Sequence, residues 1–140
     1  MRSVEPSPER FRSFTSGAEP PAPLIMINLL RYREKAEYPA DFHAEPCTGR
    51  EAYQRYHAMA AKQLAAVGAR VLWAGQVTAS VVAPDAEEWD DAVLVEYPTR
   101  AAFLKMLSEP AYQAAVPHRS AALMNSRLIA THTTTSTFHE

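Results

Sequence analysis

The run Trp89–Ile129, WDDAVLVEYPTRAAFLKMLSEPAYQAAVPHRSAALMNSRLI, decides how the rest of the chain is read. Ala92 to Tyr97 is apolar on both alternate faces apart from Glu96, the mark of a strand covered on two sides. Pro98 closes it, and Thr99 caps a helix carrying Phe103, Met106 and Leu107. Pro110 opens a second short helical piece bearing Tyr112 and Val116. Pro117 interrupts that piece, Ala121 to Asn125 adds another turn, and Arg127 to Thr133 forms a closing strand. His118-Arg119 then falls at the joint between the second short helical segment and the closing strand.

Upstream, Arg70 to Ala83 is a β-type run with Val71, Trp73, Val77, Val81 and Val82. Gly75 marks a bulge or bend within it and Pro84 ends it. The acidic stretch Asp85–Asp91 lacks the alternating ligand positions and the glycine of an EF-hand, so it reads as a solvated hairpin loop. Thr48-Gly49-Arg50-Glu51 has capping-box spacing. Behind it Tyr53, Tyr56, Ala60, Leu64 and Val67 form one apolar stripe, bordered by His57, and Gly68 is a natural stop. Before this helix, Tyr32 to Cys47 is a loop broken by Pro39 and Pro46, longer than most connections and therefore functional or mobile. Leu24–Leu30 is a strand apolar on both faces except at Asn28.

The order is βαββαβ. Right-handed crossovers turn it into an α+β, ferredoxin-like fold, a four-stranded antiparallel sheet with both helices on one face. The other face is apolar and the chain has no further strands to cover it, so a homodimer through sheet faces is expected. The folded domain spans 24–132. Residues 1–23 hold Pro6, Pro8, Pro20, Pro21 and Pro23 among Arg and Glu, a proline-rich arm expected to be a mobile tail or to lie over a partner subunit. Residues 133–140 read as a polar tail, where His139 is incidental, as is His132 nearby.

With 140 residues, one domain of this size can bury a core unaided. Lys+Arg 14 against Asp+Glu 16 gives no electrostatic footprint for nucleic acid. No apolar run reaches membrane-spanning length, so no membrane partner is expected. Cys47 stands alone, which fits a reducing cytoplasm.

Leu24–Arg31 (LIMINLLR), Thr48–Tyr56 (TGREAYQRY), Trp89–Phe103 (WDDAVLVEYPTRAAF) and His118–Arg127 (HRSAALMNSR) together resemble the bacterial family called domain of unknown function 1330. The resemblance covers roughly residues 24 to 131. It implies the dimeric α/β barrel, in which two ferredoxin-like sheets pack face to face. That superfamily fold hosts cofactor-independent monooxygenases, muconolactone-type isomerases and haem proteins, an analogy of fold rather than of function. Residues 32–47 look like an insertion relative to shorter members of the family.

Few groups could carry chemistry. His118 can move a proton near neutral pH, and the adjacent Arg119 can hold a carboxylate or enolate oxygen, together fitting α-proton abstraction or a keto–enol step. The plain alternative is that His118 caps a helical segment and Arg119 pairs with an acid. Asn28, an amide on an apolar strand, either bonds neighbouring backbone or orients a ligand. Tyr53, Trp73 and Tyr97 supply aromatic walls that also serve as core, and His57 borders the helix stripe, more an interface residue than a ligand. Glu96 should pair with Arg31, Arg100 or Arg127. With no metal-ligand spacing, no nucleophile motif and few glycines, no cofactor or metal is expected.

Three readings follow. The first is a cofactor-independent homodimeric enzyme doing isomerase- or oxygenase-like acid/base chemistry on a small anionic or aromatic metabolite between sheet and helices. The second is a module that binds a small molecule without changing it. The third is a purely structural dimer.

Overall fold

The computed structural model describes residues 2–137; Met1 and residues 138–140, with His139, lie outside the described residues. The order is α1 (Pro8–Thr15), β1 (Leu24–Tyr32), α2 (Gly49–Ala66), β2 (Arg70–Gln76), β3 (Asp91–Tyr97), α3 (Arg100–Ser108), α4 (Pro110–Ala122) and β4 (Leu123–His132). The strands form one antiparallel sheet in the order β2-β3-β1-β4, which is the ferredoxin-like topology. No helix among the described residues is long and apolar enough to cross a membrane.

Local signals set most of these boundaries. Thr48 and Glu51 cap α2 reciprocally, and Gly68 follows its last turn at φ +76. Thr99 accepts from the Ala102 N–H at the start of α3. Gly49 is needed for a different reason: a Cβ there would collide with the backbone of Arg33 and Ala122. Those chains meet because Arg33 N–H donates to the Ala122 carbonyl at 2.8 Å and Gly49 N–H to the Arg33 carbonyl at 3.1 Å. Three elements are thus tied at one corner.

Three boundaries and one ion pair correct the sequence reading. The second strand ends at Gln76 rather than Ala83, leaving Val81 and Val82 on an exposed loop. Pro117 does not interrupt its helix, because α4 runs through it. The missing N–H and the ring clash of an interior proline cost about 3 kcal/mol. Burial of Tyr112, Ala115, Ala121 and Ala122 offsets that cost. Ala121–Asn125 adds no further helical turn, since β4 begins at Leu123, four residues earlier than Arg127. Glu96 pairs with Arg70 at 2.9 Å rather than with Arg31, Arg100 or Arg127, because Arg70 is its register partner on β2.

Side-chain alternation gives the sheet two unlike faces. Leu24 and Met26 of β1 join Val95 and Tyr97 of β3 in a core cluster with Ala60, Phe103, Met106 and Tyr112. Leu30 joins Ala52, Ala122, Leu123 and Val4 in a second. Both lie under the helices. The opposite face carries Ile25, Ile27, Leu29 and Leu94, with Trp73 and Ile129 beside them 47% and 48% exposed. Thr133–Ser136 border a groove of about 250 Å³ on this face with Ile25, Ile27 and Leu94.

The proline-rich arm is ordered on its own domain, which the sequence reading did not expect. Ser7 caps α1 with Pro8 at its first position. Phe14 packs edge-on against Phe103 at 5.8 Å, and Arg100 donates to the carbonyls of Phe14, Ser16 and Gly17. At the far end Val4 is buried in the second cluster.

Candidate functional site

The seam between α2, α4 and the sheet is lined by phenols. Rings follow one another from β1 into the helices: Tyr32 to Tyr53 at 5.5 Å, Tyr53 to Tyr56 at 5.2 Å, Tyr56 to Tyr112 at 6.1 Å. The helical spacing of Tyr53 and Tyr56 on α2 turns both rings inward, where Tyr112 of α4 meets them. Tyr56 and Tyr112 share a hydrogen bond between their hydroxyls at 2.8 Å. At the strand end Tyr32 donates to Asp91 Oδ2 at 2.7 Å, and Arg50 donates to the same oxygen at 3.0 Å while its guanidinium lies 4.6 Å over the Tyr32 ring.

Burial keeps these phenols protonated. It pushes the Tyr53 hydroxyl up to about 12 and raises Tyr32, Tyr56 and Tyr97 as well. In Tyr53 and Tyr56 one group pulls the other way, the Arg119 guanidinium. Arg119 therefore lies within electrostatic reach of both phenols. It is only partly exposed, and its hydrogen bond goes to a neutral acceptor, the Val4 carbonyl at 2.6 Å. Among the described residues no carboxylate lies within ion-pair distance of it. The seam thus offers one uncompensated cation beside protonated hydroxyls, a setting that favours an oxyanion.

The expected site residues separate into groups. Arg119, Tyr53 and Tyr97 share the helix-side seam, where Tyr112 and Tyr53 add to the effect of burial on the Tyr97 hydroxyl while its ring packs at 5.0 Å on Phe103. Asn28 lies on the same sheet face, paired in register with Val93, which touches both core clusters. Its amide makes only long contacts, 3.5 Å to the Met26 carbonyl and 3.4 Å to that of Val93. No hydrogen bond joins it to a tyrosine or to Arg119 among the described residues.

His118 does not share a neighbourhood with Arg119. Successive helical residues point about 100° apart, and His118 meets the 33–48 loop instead. Its Nδ1 lies 2.7 Å from the Tyr38 hydroxyl, which also accepts from Arg55 at 3.2 Å, and Phe42 stands edge-on to the imidazole at 5.5 Å. Burial, with the nearby Arg55 charge, lowers its pKa below the ordinary 6.5.

Two expected residues lie elsewhere. His57 is exposed, because the inner face of α2 is centred on Ala52, Tyr56 and Ala60. Trp73 is opposite Leu94 and so faces away from the helices; a register shift between Val71 and Trp73 reverses the parity that simple alternation predicts. The sequence reading missed Tyr32, Tyr38 and Asp91. Only Tyr56 and Tyr112, already on the apolar stripes, carried a signal. A surface groove of about 630 Å³ between Tyr32 and the 77–90 loop contains none of the expected site residues.

The comparisons agree with this fold. The family model described as Domain of unknown function (DUF1330) matches residues 43–132. Two crystal structures of the RPA0582 protein, one of them methylated and the other described as a protein of unknown function from Rhodopseudomonas palustris, are 34% identical with a TM-score of 0.88. They cover 97% of this chain, and 98% and 100% of their own. A dimeric ferredoxin-like protein of unknown function from Thermobifida fusca is more remote: 14% identity, TM-score 0.45, covering 78% of this chain and 89% of its own. No curated protein matches.

Proposed function

The chain belongs to the Domain of unknown function (DUF1330) family, and on that footing we propose that it is a cytoplasmic homodimeric α/β barrel that recognises a small anionic or aromatic metabolite in the helix-side seam. One observation carries the reading: Arg119 is partly buried beside the protonated phenols of Tyr53 and Tyr56 without a carboxylate partner. A ligand carboxylate, phenolate or enolate supplies the missing charge, the phenols donate to its oxygens, and the aromatic rings pack on its body. Asn28, whose amide is held only by long contacts, orients it from the sheet floor.

The dimer rests on the bare sheet face. Trp73 and Ile129 are half exposed there beside Ile27, Leu29 and Leu94, a patch that a second sheet would cover.

An enzymatic use of this ground is the second reading, favoured by the state of His118. Its lowered pKa keeps the imidazole neutral near pH 7 and its Nδ1 is engaged by Tyr38, leaving Nε2 to exchange a proton. In that case the protein performs cofactor-independent acid/base chemistry on a ligand at the 33–48 loop, on the side of α4 that His118 rather than Arg119 faces.

A thermal-shift screen of small carboxylates, phenols and lactones on wild type, Arg119→Gln and His118→Ala tests both. Hits lost in Arg119→Gln and kept in His118→Ala support recognition without catalysis by His118. Turnover of a hit compound that disappears in His118→Ala supports the enzyme. Hits indifferent to Arg119 remove the site from consideration.

A further inference from the structure

The seam already contains a segment of this chain. Val4 is 8% exposed, packed with Leu30, Ala52, Ala122 and Leu123 and against Tyr53. Its carbonyl takes the Arg119 hydrogen bond at 2.6 Å. Ser3 is held on both sides: its N–H donates to Asn125 Oδ1 at 2.8 Å, and its carbonyl accepts from Ser126 Oγ at 2.7 Å. Ser126, 4% exposed, is the one buried polar residue of the core among the described residues. Two residues of backbone thus meet three specific groups, as a bound dipeptide would.

The attachment is asymmetric. The stretch from Phe14 to Glu19 is clasped to α3 by Arg100 and by the Ala101 N–H donating to Glu19. Between the clasp and Val4 lie residues 5–13, none of them buried. Ser3 and Val4 can leave while the clasp holds. Their occupancy also leaves Arg119 with a neutral acceptor where an anion would bind more strongly.

We propose that Ser3 and Val4 are a tethered occupant of this cleft, and that its free ligand is a carboxylate bearing an N-acylated, branched-chain residue. The occupant defines the class atom by atom. The Val4 isopropyl group marks an apolar pocket for a branched three-carbon group, one carbon from the carbonyl group whose oxygen Arg119 binds. The Ser3 carbonyl marks the acyl oxygen bonded by Ser126. In N-acetyl-L-valine the neutral Val4 carbonyl becomes a carboxylate, which turns the Arg119 contact into an ion pair. The inference deepens the anion-site reading and rests on it. Tethering makes the arm a competitor at a local concentration on the order of millimolar, so the closed form weakens free ligand by the fraction of time it is shut.

Full-length wild type and Val4→Gly are titrated calorimetrically with N-acetyl-L-valine, N-acetylglycine and benzoate. The expected result is about tenfold tighter binding of N-acetyl-L-valine by Val4→Gly, with N-acetylglycine weaker and Arg119→Gln abolishing binding in either background. Benzoate bound through Arg119 with no preference for N-acetyl-L-valine overturns this inference and leaves the anion site standing. No Arg119-dependent binding of any of the three overturns both. A second measurement needs no variant: saturating N-acetyl-L-valine should move the Val4 methyl resonances of wild type to solvent-exposed positions. Binding with those resonances unmoved overturns the proposal.

Discussion

The hydroxyls of Tyr56 and Tyr112 share a single hydrogen bond, 2.8 Å across the seam where α2 meets α4. Each ring also packs against the core cluster formed by Leu24, Met26 and Phe103. Tyr112→Phe should therefore keep the packing and leave the Tyr56 hydroxyl without its partner. The expected loss is about 1–2 kcal/mol by urea denaturation, with Tyr56→Phe similar and the double variant less than additive. Additive losses would mean that the two hydroxyls do not act as a pair.

Gly49 and Arg33 meet where a side chain would not fit. Gly49→Ala should cost up to about 3 kcal/mol, since backbone rather than a flexible side chain must yield. Thermal unfolding checks this, and a loss below about 0.5 kcal/mol would show that the corner relaxes.

Alkali should destabilise the fold. The Tyr53 hydroxyl ionises near 10.0 when unfolded and near 12 when folded, because burial disfavours the phenolate. The unfolded chain thus loses its proton first, so stability is intact below pH 10 and falls as pH rises from 10 to 12. That window is worth about 3 kcal/mol for this one group. Tyr53→Phe should flatten the alkaline limb of a Tm-versus-pH profile.

His118 has the opposite sign. Burial and Arg55 lower its pKa, so below about pH 6.5 the unfolded state takes up a proton that the folded state resists. Stability contributed by the neutral imidazole is present above that pH and declines beneath it. A titration of the His118 ring signals by NMR should give a midpoint below 6.5, and Tyr38→Phe should alter it. A midpoint at or above 6.5 would contradict the burial of His118 beside Arg55.

The exposed indole of Trp73 lies opposite Leu94 on the bare face. If the chain associates through this face as proposed, Trp73→Asp should sediment as a monomer at equilibrium without unfolding. A dimer that survives that substitution would place the interface elsewhere.

Much of this architecture was legible in the residues. Strands apolar on both faces, the Thr48–Glu51 cap and the Thr99 cap led to the ferredoxin-like order without tertiary information. The failures are equally specific. Pro117 was read by its local cost, whereas α4 is held by the burial of its own inner face. Ser7-Pro8 is a helix-start signal, but composition alone made residues 1–23 look unstructured. Trp73 was misplaced by a register shift that no periodicity announces. At the site, adjacency in sequence suggested that His118 and Arg119 act together, although a helix turns neighbours apart. Arg119 lies within electrostatic reach of the phenols, and His118 faces the loop that carries Tyr38.

The most direct test of the central claim follows the Arg119 side-chain Nε–H by NMR while a small carboxylate is added. The account predicts that this resonance and the ring signals of Tyr53 and Tyr56 move together, saturably, and that Arg119→Gln abolishes the change. Saturable shifts confined to other residues, with Arg119 and both tyrosines unmoved, would contradict it.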